Sequence, residues 1–267
     1  MKNNILMIFS IMIFCLTLTR TTNASYLLFD QTTDTINVSG QLVLEDSLTY
    51  EARILFTNTY NGGGYIFNEW TWGQEDKVLF ASPNKIGGYS YPIDPSRSLI
   101  ISNTTLSFGV PHHVAYVYDG SSERLYLDGH LVKSRTNSGD VGDGSGNPHI
   151  GAIFRDGYIH NSFIGYLDTI RISNIARYNS TDFDPPTGDL VADEHTLLLY
   201  NFNESPDSTT IIDLSGNGHD GVLGVGFDGA TSPSFANPVP IPRDFWLLGF
   251  GLAIIACTRY RKNILNG

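Results

Sequence analysis

Two Asp-Gly pairs, Asp119-Gly120 and Asp128-Gly129, separate three short segments within residues 111–133. Glycine adopts a positive φ at little cost, so an Asp-Gly pair between strand-like segments indicates a tight hairpin turn. The segments around these turns are rich in valine, leucine and tyrosine, which favour strands. Residues 111–133 therefore predict three antiparallel strands that follow one another in a meander.

The first of these segments, residues 113–118, has apolar side chains on both of its faces. Successive side chains of a strand point in opposite directions. One face then carries Val114, Tyr116 and Tyr118, and the other carries His113, Ala115 and Val117. We expect this strand to lie near the centre of its sheet.

The rest of the central region also predicts strands. Strand-like segments occur at residues 48–56, 77–80 and 99–101, each bounded by turn residues. No window sustains apolar residues at the 3.6-residue period of a helix. Charged residues make up only 16% of the chain, too few for a helical surface covered with ion pairs. The pattern predicts an all-β fold with an irregular crossover at residues 184–188.

Both cysteines, Cys15 and Cys257, lie in apolar segments near the two ends of the chain. The central region therefore has no cysteine for a disulfide framework, a cysteine-ligated zinc site or an iron–sulfur cluster. A folded domain in that region has to be held together by core packing.

The first 24 residues have the layout of a secretory signal peptide. A lysine near the start is followed by the apolar run 5–18 and by a small residue, Ala24, at the expected cleavage position. The alternative is an uncleaved membrane anchor, which the short apolar run disfavours. We expect residues 1–24 to be removed on secretion.

Residues 236–267 combine a proline-rich motif, an apolar run and a basic end. The motif is Val239-Pro240-Ile241-Pro242, the apolar run covers residues 245–257, and the cations Arg259, Arg261 and Lys262 follow it. This layout resembles the PEP-CTERM sorting signals, in their Val-Pro-Leu-Pro variant. The resemblance implies a Gram-negative bacterium, processing by an exosortase-type enzyme, and a place at the cell surface, outer membrane or extracellular matrix. The alternative is a simple transmembrane anchor with a cytoplasmic end.

The central meander carries a family resemblance. Its sequence, Pro-His-His-Val-Ala-Tyr-Val-Tyr-Asp-Gly followed by Arg-Leu-Tyr-Leu-Asp-Gly, resembles the centre of LamG-like domains of the concanavalin A-like class. Pro111 stands where that family usually has tryptophan. Ile150-Gly151 and residues 163–172 resemble later segments of the same family. The resemblance implies a two-sheet antiparallel jelly-roll sandwich, which we place at residues 25–235.

Residues 197–221 resemble the strand and loop that often open such a domain, although here they come last. They either close the sandwich as a permuted strand pair or begin a truncated second repeat. Too little chain remains after them for a second repeat to fold alone.

The net charge of −11 disfavours nucleic-acid binding, because a phosphate backbone would be repelled. An acidic, turn-rich surface suits divalent cations that bind through oxygen. The charge is equally consistent with a solubilising role alone.

One loop has oxygen side chains at alternate positions around glycines, namely Asp213, Ser215 and Asn217. Calcium requires six to eight oxygen ligands, including carbonyl groups exposed by tight turns. The family resemblance implies Ca²⁺ near this loop and near Asp168, so the predicted ligands are Asp168, Asp213 and Asn217. In the alternative, Asp213 caps an Asx turn and the glycines shape a hairpin. Residues 140–147 are a second acidic loop, whose alternative is a loop tip without a ligand.

Four aromatic residues within residues 60–91 are candidates for glycan binding: Trp70, Trp72, Tyr89 and Tyr91. Flat aromatic rings stack on the C–H surfaces of sugars, and neighbouring amides bind hydroxyl groups. In the alternative, the two tryptophans fill the core.

No catalytic pattern is present in the sequence. The alternating Glu-x-Asp-x-x-Glu strand of jelly-roll glycosidases is missing, as are a Gly-x-Ser-x-Gly elbow and a His-Glu-x-x-His pair. His112 and His113 are adjacent, so on a strand they face opposite ways and cannot bind one metal together. We therefore expect no enzyme activity.

These features favour a secreted surface or matrix binding module for polysaccharide or a surface glycan, with dependence on calcium. The first alternative is a structural protein of the extracellular matrix without a discrete ligand. The second alternative is a glycoside-active enzyme.

Overall fold

The computed structural model describes residues 26–44, 46–57, 63–71, 74–90, 99–139, 141, 146, 148–155 and 158–236. Within these ranges the chain forms strands and no helix. The strands, in chain order, are β1 (Tyr26–Phe29), β2 (Ile36–Val38), β3 (Leu48–Leu55), β4 (Gly64–Thr71), β5 (Gln74–Ser82), β6 (Lys85–Ser90), β7 (Ile100–Ser102), β8 (Pro111–Tyr118), β9 (Ser122–Leu127), β10 (His130–Thr136), β11 (His149–Ile150), β12 (Ile153–Arg155), β13 (Tyr158–His160), β14 (Gly165–Ser173), β15 (Thr196–Tyr200), β16 (Thr210–Ile211), β17 (Gly221–Leu223) and β18 (Ser234–Ala236).

The strands form two large sheets that enclose the core. Sheet 1 has the order β10-β9-β8-β3-β14-β1-β18, and β15 also pairs with β14. Sheet 2 has the order β16-β17-β2-β11-β4-β5-β6-β7, and β12 and β13 form a separate two-stranded ribbon. Neighbouring strands in both sheets are antiparallel, for example β3 with β8 and β4 with β5. The predicted all-β, two-sheet antiparallel jelly-roll sandwich is confirmed.

The predicted meander is formed by β8, β9 and β10, which pair in sequence. At the second turn Asp128 and Gly129 both have positive φ, 51° and 81°, as a tight hairpin turn requires. A Cβ atom at position 129 would lie 1.9 Å from the carbonyl oxygen of Phe183. Gly129 is therefore needed both for the turn and for the close approach of a neighbouring chain segment.

Strand β8 is buried on both faces, as its sequence predicts. It lies between β3 and β9 in sheet 1. Val114, Tyr116 and Tyr118 point into the core between the two sheets. On the opposite face, Ala115 and Val117 form a small second cluster with Tyr126. The irregular connection between β14 and β15 covers this cluster with Ala176, Tyr178 and Phe183.

The C-terminal part of the described chain completes both sheets. β15 pairs with β14 in sheet 1, and β17 pairs with β2 in sheet 2. β18 then pairs with β1, the first strand. Of the two interpretations left open by the sequence, the structure has the one in which residues 197–221 close the same sandwich.

The predicted signal peptide (residues 1–24) and nearly all of the predicted sorting signal (residues 236–267) lie outside the described residues, as do Cys15 and Cys257. Across the ranges that the structure describes, no helix has the length and apolar character needed to cross a bilayer.

Candidate functional site

A groove of about 510 Å³ opens to solvent at one end of sheet 2. Its described walls come from the start of β4, the turn between β5 and β6, the loop after β7, and the segment before β14. Phe108 on the loop after β7 is the most exposed aromatic side chain of these walls, with 47% of its surface open. We call this feature the Phe108 groove.

The turn between β5 and β6 forms one wall. Ser82 and Lys85 are paired across the two strands, so the turn consists of Pro83 and Asn84. The Ser82 hydroxyl donates to Oδ1 of Asn84 over 3.0 Å and holds this amide at the tip of the turn. The carbonyl of Pro83 in turn accepts a 2.9 Å hydrogen bond from the Leu106 amide. The loop that carries Phe108 is thereby attached to the turn.

A second hydrogen bond positions the Phe108 loop from its other end. The amide of Gly109 donates to the carbonyl of Phe56 over 2.8 Å. The φ of Gly109 is 68°, in the left-handed region that glycine adopts readily. Phe108 therefore lies between two anchored backbone positions although its ring is exposed.

The floor of the groove is backbone at Gly63 and Gly64. A Cβ atom at Gly63 would lie 2.4 Å from Cα of Ser82, and one at Gly64 would lie 2.1 Å from the carbonyl oxygen of Ser162. Both glycines also have positive φ, 112° and 148°. Any side chain here would clash with backbone and displace the walls.

Two aromatic rings, those of Phe80 and Phe108, and the ammonium group of Lys85 line the groove. Phe80 is half-buried and packs edge-on against Tyr65, with ring centroids 6.1 Å apart. The Lys85 ammonium lies 5.3 Å from the centroid of the Phe80 ring, within the range of a cation–π contact. The groove therefore has one exposed ring, Phe108, and one ring already covered by a cation, Phe80.

The remaining polar groups are amides and a hydroxyl. Asn161 is exposed and has a φ of 50°, and its carbonyl accepts a 2.7 Å hydrogen bond from the Tyr65 amide. Asn84 is exposed at the opposite wall. Among the described lining residues there is no aspartate or glutamate. The groove can thus donate hydrogen bonds and stack against apolar surface, but its described walls lack the two carboxylates used in glycoside hydrolysis.

Of the four aromatic residues predicted to bind glycan, Tyr89 is the one whose side chain the structure describes. The ring of Tyr89 is 3% exposed in sheet 2, so it has no face open for stacking on a sugar. Trp70 is part of β4, but its side chain lies outside the described residues, as do Trp72 and Tyr91. The described aromatic residues that line the groove are Phe80 and Phe108.

Sequence reasoning selected the segment around the groove but missed its aromatic residues. Pro83-Asn84 between two strand-like segments is a usable turn signal, and it could have predicted the hairpin tip. Nothing local to Phe108 indicates that its loop meets this tip, because the contact joins segments about 25 residues apart along the chain.

Asp213, the central residue of the predicted calcium loop, is saturated with hydrogen bonds. Its Oδ1 accepts from the amides of Leu199 and Ser215, over 3.1 and 3.0 Å. Its Oδ2 accepts from the Ser215 hydroxyl over 2.7 Å and from the His219 amide over 3.1 Å. A carboxylate has about four lone-pair sites, so all are used within the protein. The structure thus has the Asx-turn arrangement that was the alternative interpretation of this loop.

The other two predicted ligands are also engaged. Asp168 forms an ion pair with Arg53, whose guanidinium also donates to the carbonyl of Gly188 over 3.0 Å. Burial raises the pKa of Asp168 above its ordinary value even though Arg53 opposes this shift. Asn217 donates its amide to the carbonyl groups of Thr196 and Leu197, over 2.9 and 3.0 Å.

The predicted calcium set therefore does not fit the structure, because one carboxylate is saturated and the other is neutralised by a guanidinium. Elsewhere in the described ranges, no group of three or more histidine, cysteine, aspartate or glutamate side chains is arranged to hold a metal ion. Most of the second acidic loop, residues 140–147, lies outside those ranges.

Comparison with protein families gives one match. Residues 30–180 match the family Laminin_G_3, which is described as the concanavalin A-like lectin/glucanases superfamily. The match covers more than half of the 267-residue chain. It includes the meander and all of the described residues that line the Phe108 groove, and it ends before strands β15 to β18. No curated protein matches the sequence.

Several solved structures are similar to this chain at low sequence identity. A protein of Bacteroides ovatus ATCC 8483, described as a putative carbohydrate binding protein, is 17% identical with a TM-score of 0.54, over 78% of this chain and 61% of its own. A heptameric SAP-like pentraxin from Limulus polyphemus is 20% identical with a TM-score of 0.46, over 58% of this chain and 78% of its own. Domains LG4-5 of the mouse laminin alpha1 chain are 14% identical with a TM-score of 0.45, over 62% and 47%.

Proposed function

Because the chain belongs to the concanavalin A-like lectin/glucanases superfamily, we propose that it is a carbohydrate-binding module whose site is the Phe108 groove. The observation that carries this proposal is the exposed Phe108 ring beside the amides of Asn84 and Asn161. Sugars present C–H faces that stack on aromatic rings and hydroxyl groups that hydrogen-bond to amides. The fold shared with the Bacteroides ovatus protein is consistent with this use.

The proposal includes where the module acts. The sequence of residues 1–24 predicts secretion, and the sequence of residues 236–267 predicts retention at the surface or in the matrix with exosortase-type processing. Cell fractionation followed by mass spectrometry of the surface-associated chain tests whether residues 1–24 are removed and whether residues 236–267 are processed. Recovery from the cytoplasm with residues 1–24 still attached would contradict secretion.

The binding proposal is tested with a glycan array and the Phe108→Ala variant of the full chain. A stacked phenyl ring contributes about 1.5 kcal/mol or more, so the affinity for bound glycans should fall about tenfold. Ile212→Ala is the matched control, because Ile212 is also an exposed apolar residue (57% exposed) and does not line the groove. Equal losses in the two variants would mean that the glycan does not bind in the groove.

The sequence predicts calcium dependence, whereas the contacts of the predicted ligands favour binding without calcium, and the same array with a chelator decides between the two. Since Asp168 and Asp213 are both engaged within the protein, we expect binding in the groove to survive chelation. Loss of binding in chelator would contradict this expectation and would indicate a calcium site other than Asp168 and Asp213, with residues 140–147 the first to examine.

The same preparation separates the alternative functions. A wild-type chain that binds no glycan under either condition would support a structural role in the matrix. Release of reducing sugar from the arrayed glycans would indicate a glycosidase, whereas we propose binding without turnover because the described groove walls contain no carboxylate.

A further inference from the structure

Most cations in the described part of the chain are neutralised by a carboxylate. All of its arginines with described side chains are paired with aspartate or glutamate, as is Lys77, which lies 3.1 Å from Glu69. Lys85 and Lys133 are the described lysines that have no carboxylate within 4.0 Å. Of these two, Lys85 lines the Phe108 groove and Lys133 does not.

What distinguishes Lys85 from Lys133 is its place in the groove and its contact with an aromatic ring. The Lys85 ammonium is held over the Phe80 ring, 5.3 Å from its centroid. A cation–π contact stabilises the position of the ammonium but leaves its formal charge uncompensated. An anion that enters the groove would therefore meet a positive charge that is not paired with any described aspartate or glutamate.

The rest of the groove suits an anion as well. Asn84 and Asn161 supply amide donors at the rim. No aspartate or glutamate is among the described lining residues, so none of these opposes an anion at short range. The acidic charge elsewhere on the molecule is screened over about 8 Å at physiological ionic strength. The local field of Lys85 then decides whether an anionic group is accepted.

We propose that the Phe108 groove selects acidic glycans, and that Lys85 is the specificity-determining residue that pairs with their carboxylate or sulfate group. This inference rests on the proposed function and adds the chemical class of the ligand. Phe108 would contact the apolar face of the sugar, while Lys85 would recognise its charge. Charge-assisted hydrogen bonds of this kind are about twice as strong as neutral ones.

The test uses the full chain and a set of matched probes in a calorimetric titration. The carboxylated probes are a galacturonic acid tetramer and sialyllactose, and their neutral counterparts are a galactose tetramer and lactose. A sulfated galactose tetramer separates sulfate from carboxylate. We expect the wild-type chain to bind at least one acidic probe about tenfold more tightly than its neutral counterpart.

Substitution of Lys85 then assigns the preference. Lys85→Gln should remove the tenfold preference for the acidic probe over its neutral counterpart, measured as the ratio of the two affinities in the same variant. Lys85→Arg should retain most of this preference. Lys133→Gln changes the net charge by the same amount at an exposed position outside the groove, so it should behave like the wild type.

The outcomes separate this inference from the function on which it rests. Binding of neutral and acidic probes with equal affinity, or equal losses in Lys85→Gln and Lys133→Gln, would overturn the acidic selectivity while glycan binding stands. Absence of wild-type binding to every probe and to the array would overturn both. If only the sulfated probe, or only the carboxylated probes, bind more tightly than their neutral counterparts, the result identifies which anionic group Lys85 recognises.

Discussion

Glu51 is a charged residue inside sheet 1, fully buried beneath the connection between β14 and β15. Its carboxylate accepts hydrogen bonds from Arg171 and Tyr178, each over 2.7 Å, and lies 2.8 Å from Nε2 of His113. Burial alone would raise the pKa of Glu51, but the His113 hydrogen bond and the charge of Arg171 outweigh it. The pKa consequently falls from 4.5 to about 2.

This pKa predicts how Glu51→Gln affects stability. A carboxyl whose folded pKa lies below its unfolded pKa stabilises the fold above the unfolded value, and this contribution disappears as pH falls through the folded value. The shift from 4.5 to about 2 corresponds to about 3 kcal/mol. Glu51→Gln should therefore lower the free energy of unfolding by about 3 kcal/mol at pH 7. The deficit should shrink as the pH falls from about 4.5 towards 2.

Urea unfolding at a series of pH values measures this difference. Glu194→Gln is the control, because the Glu194 side chain is 87% exposed and its loss should change stability by less than about 0.5 kcal/mol. A deficit in Glu51→Gln that does not change between pH 7 and pH 3 would show that packing, and not the ionised carboxylate, stabilises this site.

At the scale of elements, the two sheets approach each other closely at Gly88 in β6. A Cβ atom at this position would lie 2.3 Å from the ring of Tyr116 in β8. Tyr116 is fully buried, and its hydroxyl donates to Glu123 over 2.9 Å. The ring is therefore held from both ends and has no room to move away.

Gly88→Ala should consequently destabilise the domain by about 2 kcal/mol, because an added methyl group overpacks a rigid contact. Gly188→Ala is the matched control, since a Cβ atom there has no neighbour within 4 Å. Thermal unfolding of both variants checks the prediction. A melting temperature for Gly88→Ala equal to that of Gly188→Ala would mean that the two sheets accommodate the added methyl group without a loss of stability.

Elements with local signals could be predicted from the sequence, whereas the groove could not. The Asp-Gly turns and the apolar alternation of β8 are properties of consecutive residues, and β8, β9 and β10 follow them. The Phe108 groove joins segments whose proximity depends on sheet order. The role of Asp213 could not be predicted for the same reason. Whether it is a calcium ligand or the cap of an Asx turn depends on whether distant amides, such as that of Leu199, donate to its carboxylate.

At the scale of the whole molecule, residues 196–236 complete the sandwich. The family match ends at residue 180, but β14 still needs β15 at one edge and β2 still needs β17. Tyr200 and Phe202 from this last part are fully buried in the common core. The domain is therefore larger than its family match.

A chain that ends at residue 188 should therefore fail to fold cooperatively, since it lacks these strands and exposes the core that they cover. A chain that ends at residue 236 is the control and should unfold in one transition. Circular dichroism during thermal unfolding distinguishes the two. A cooperative transition in the shorter chain, with a melting temperature close to the control, would show that the last strands are an accessory to an independent domain.

The pairing of β1 with β18 also has a mechanical consequence. Tyr26 and Ala236 are opposite each other in this antiparallel pair, so the described chain enters and leaves the fold at adjacent points. Tension applied between these two points would load the few backbone hydrogen bonds of the pair one after another, as in the opening of a zipper. Tension applied through one end alone would not pass across the pair. If the domain is attached at one end only, no tension therefore crosses the β1–β18 pair. If it is attached at both ends and stretched, unfolding should begin with the separation of β18 from β1.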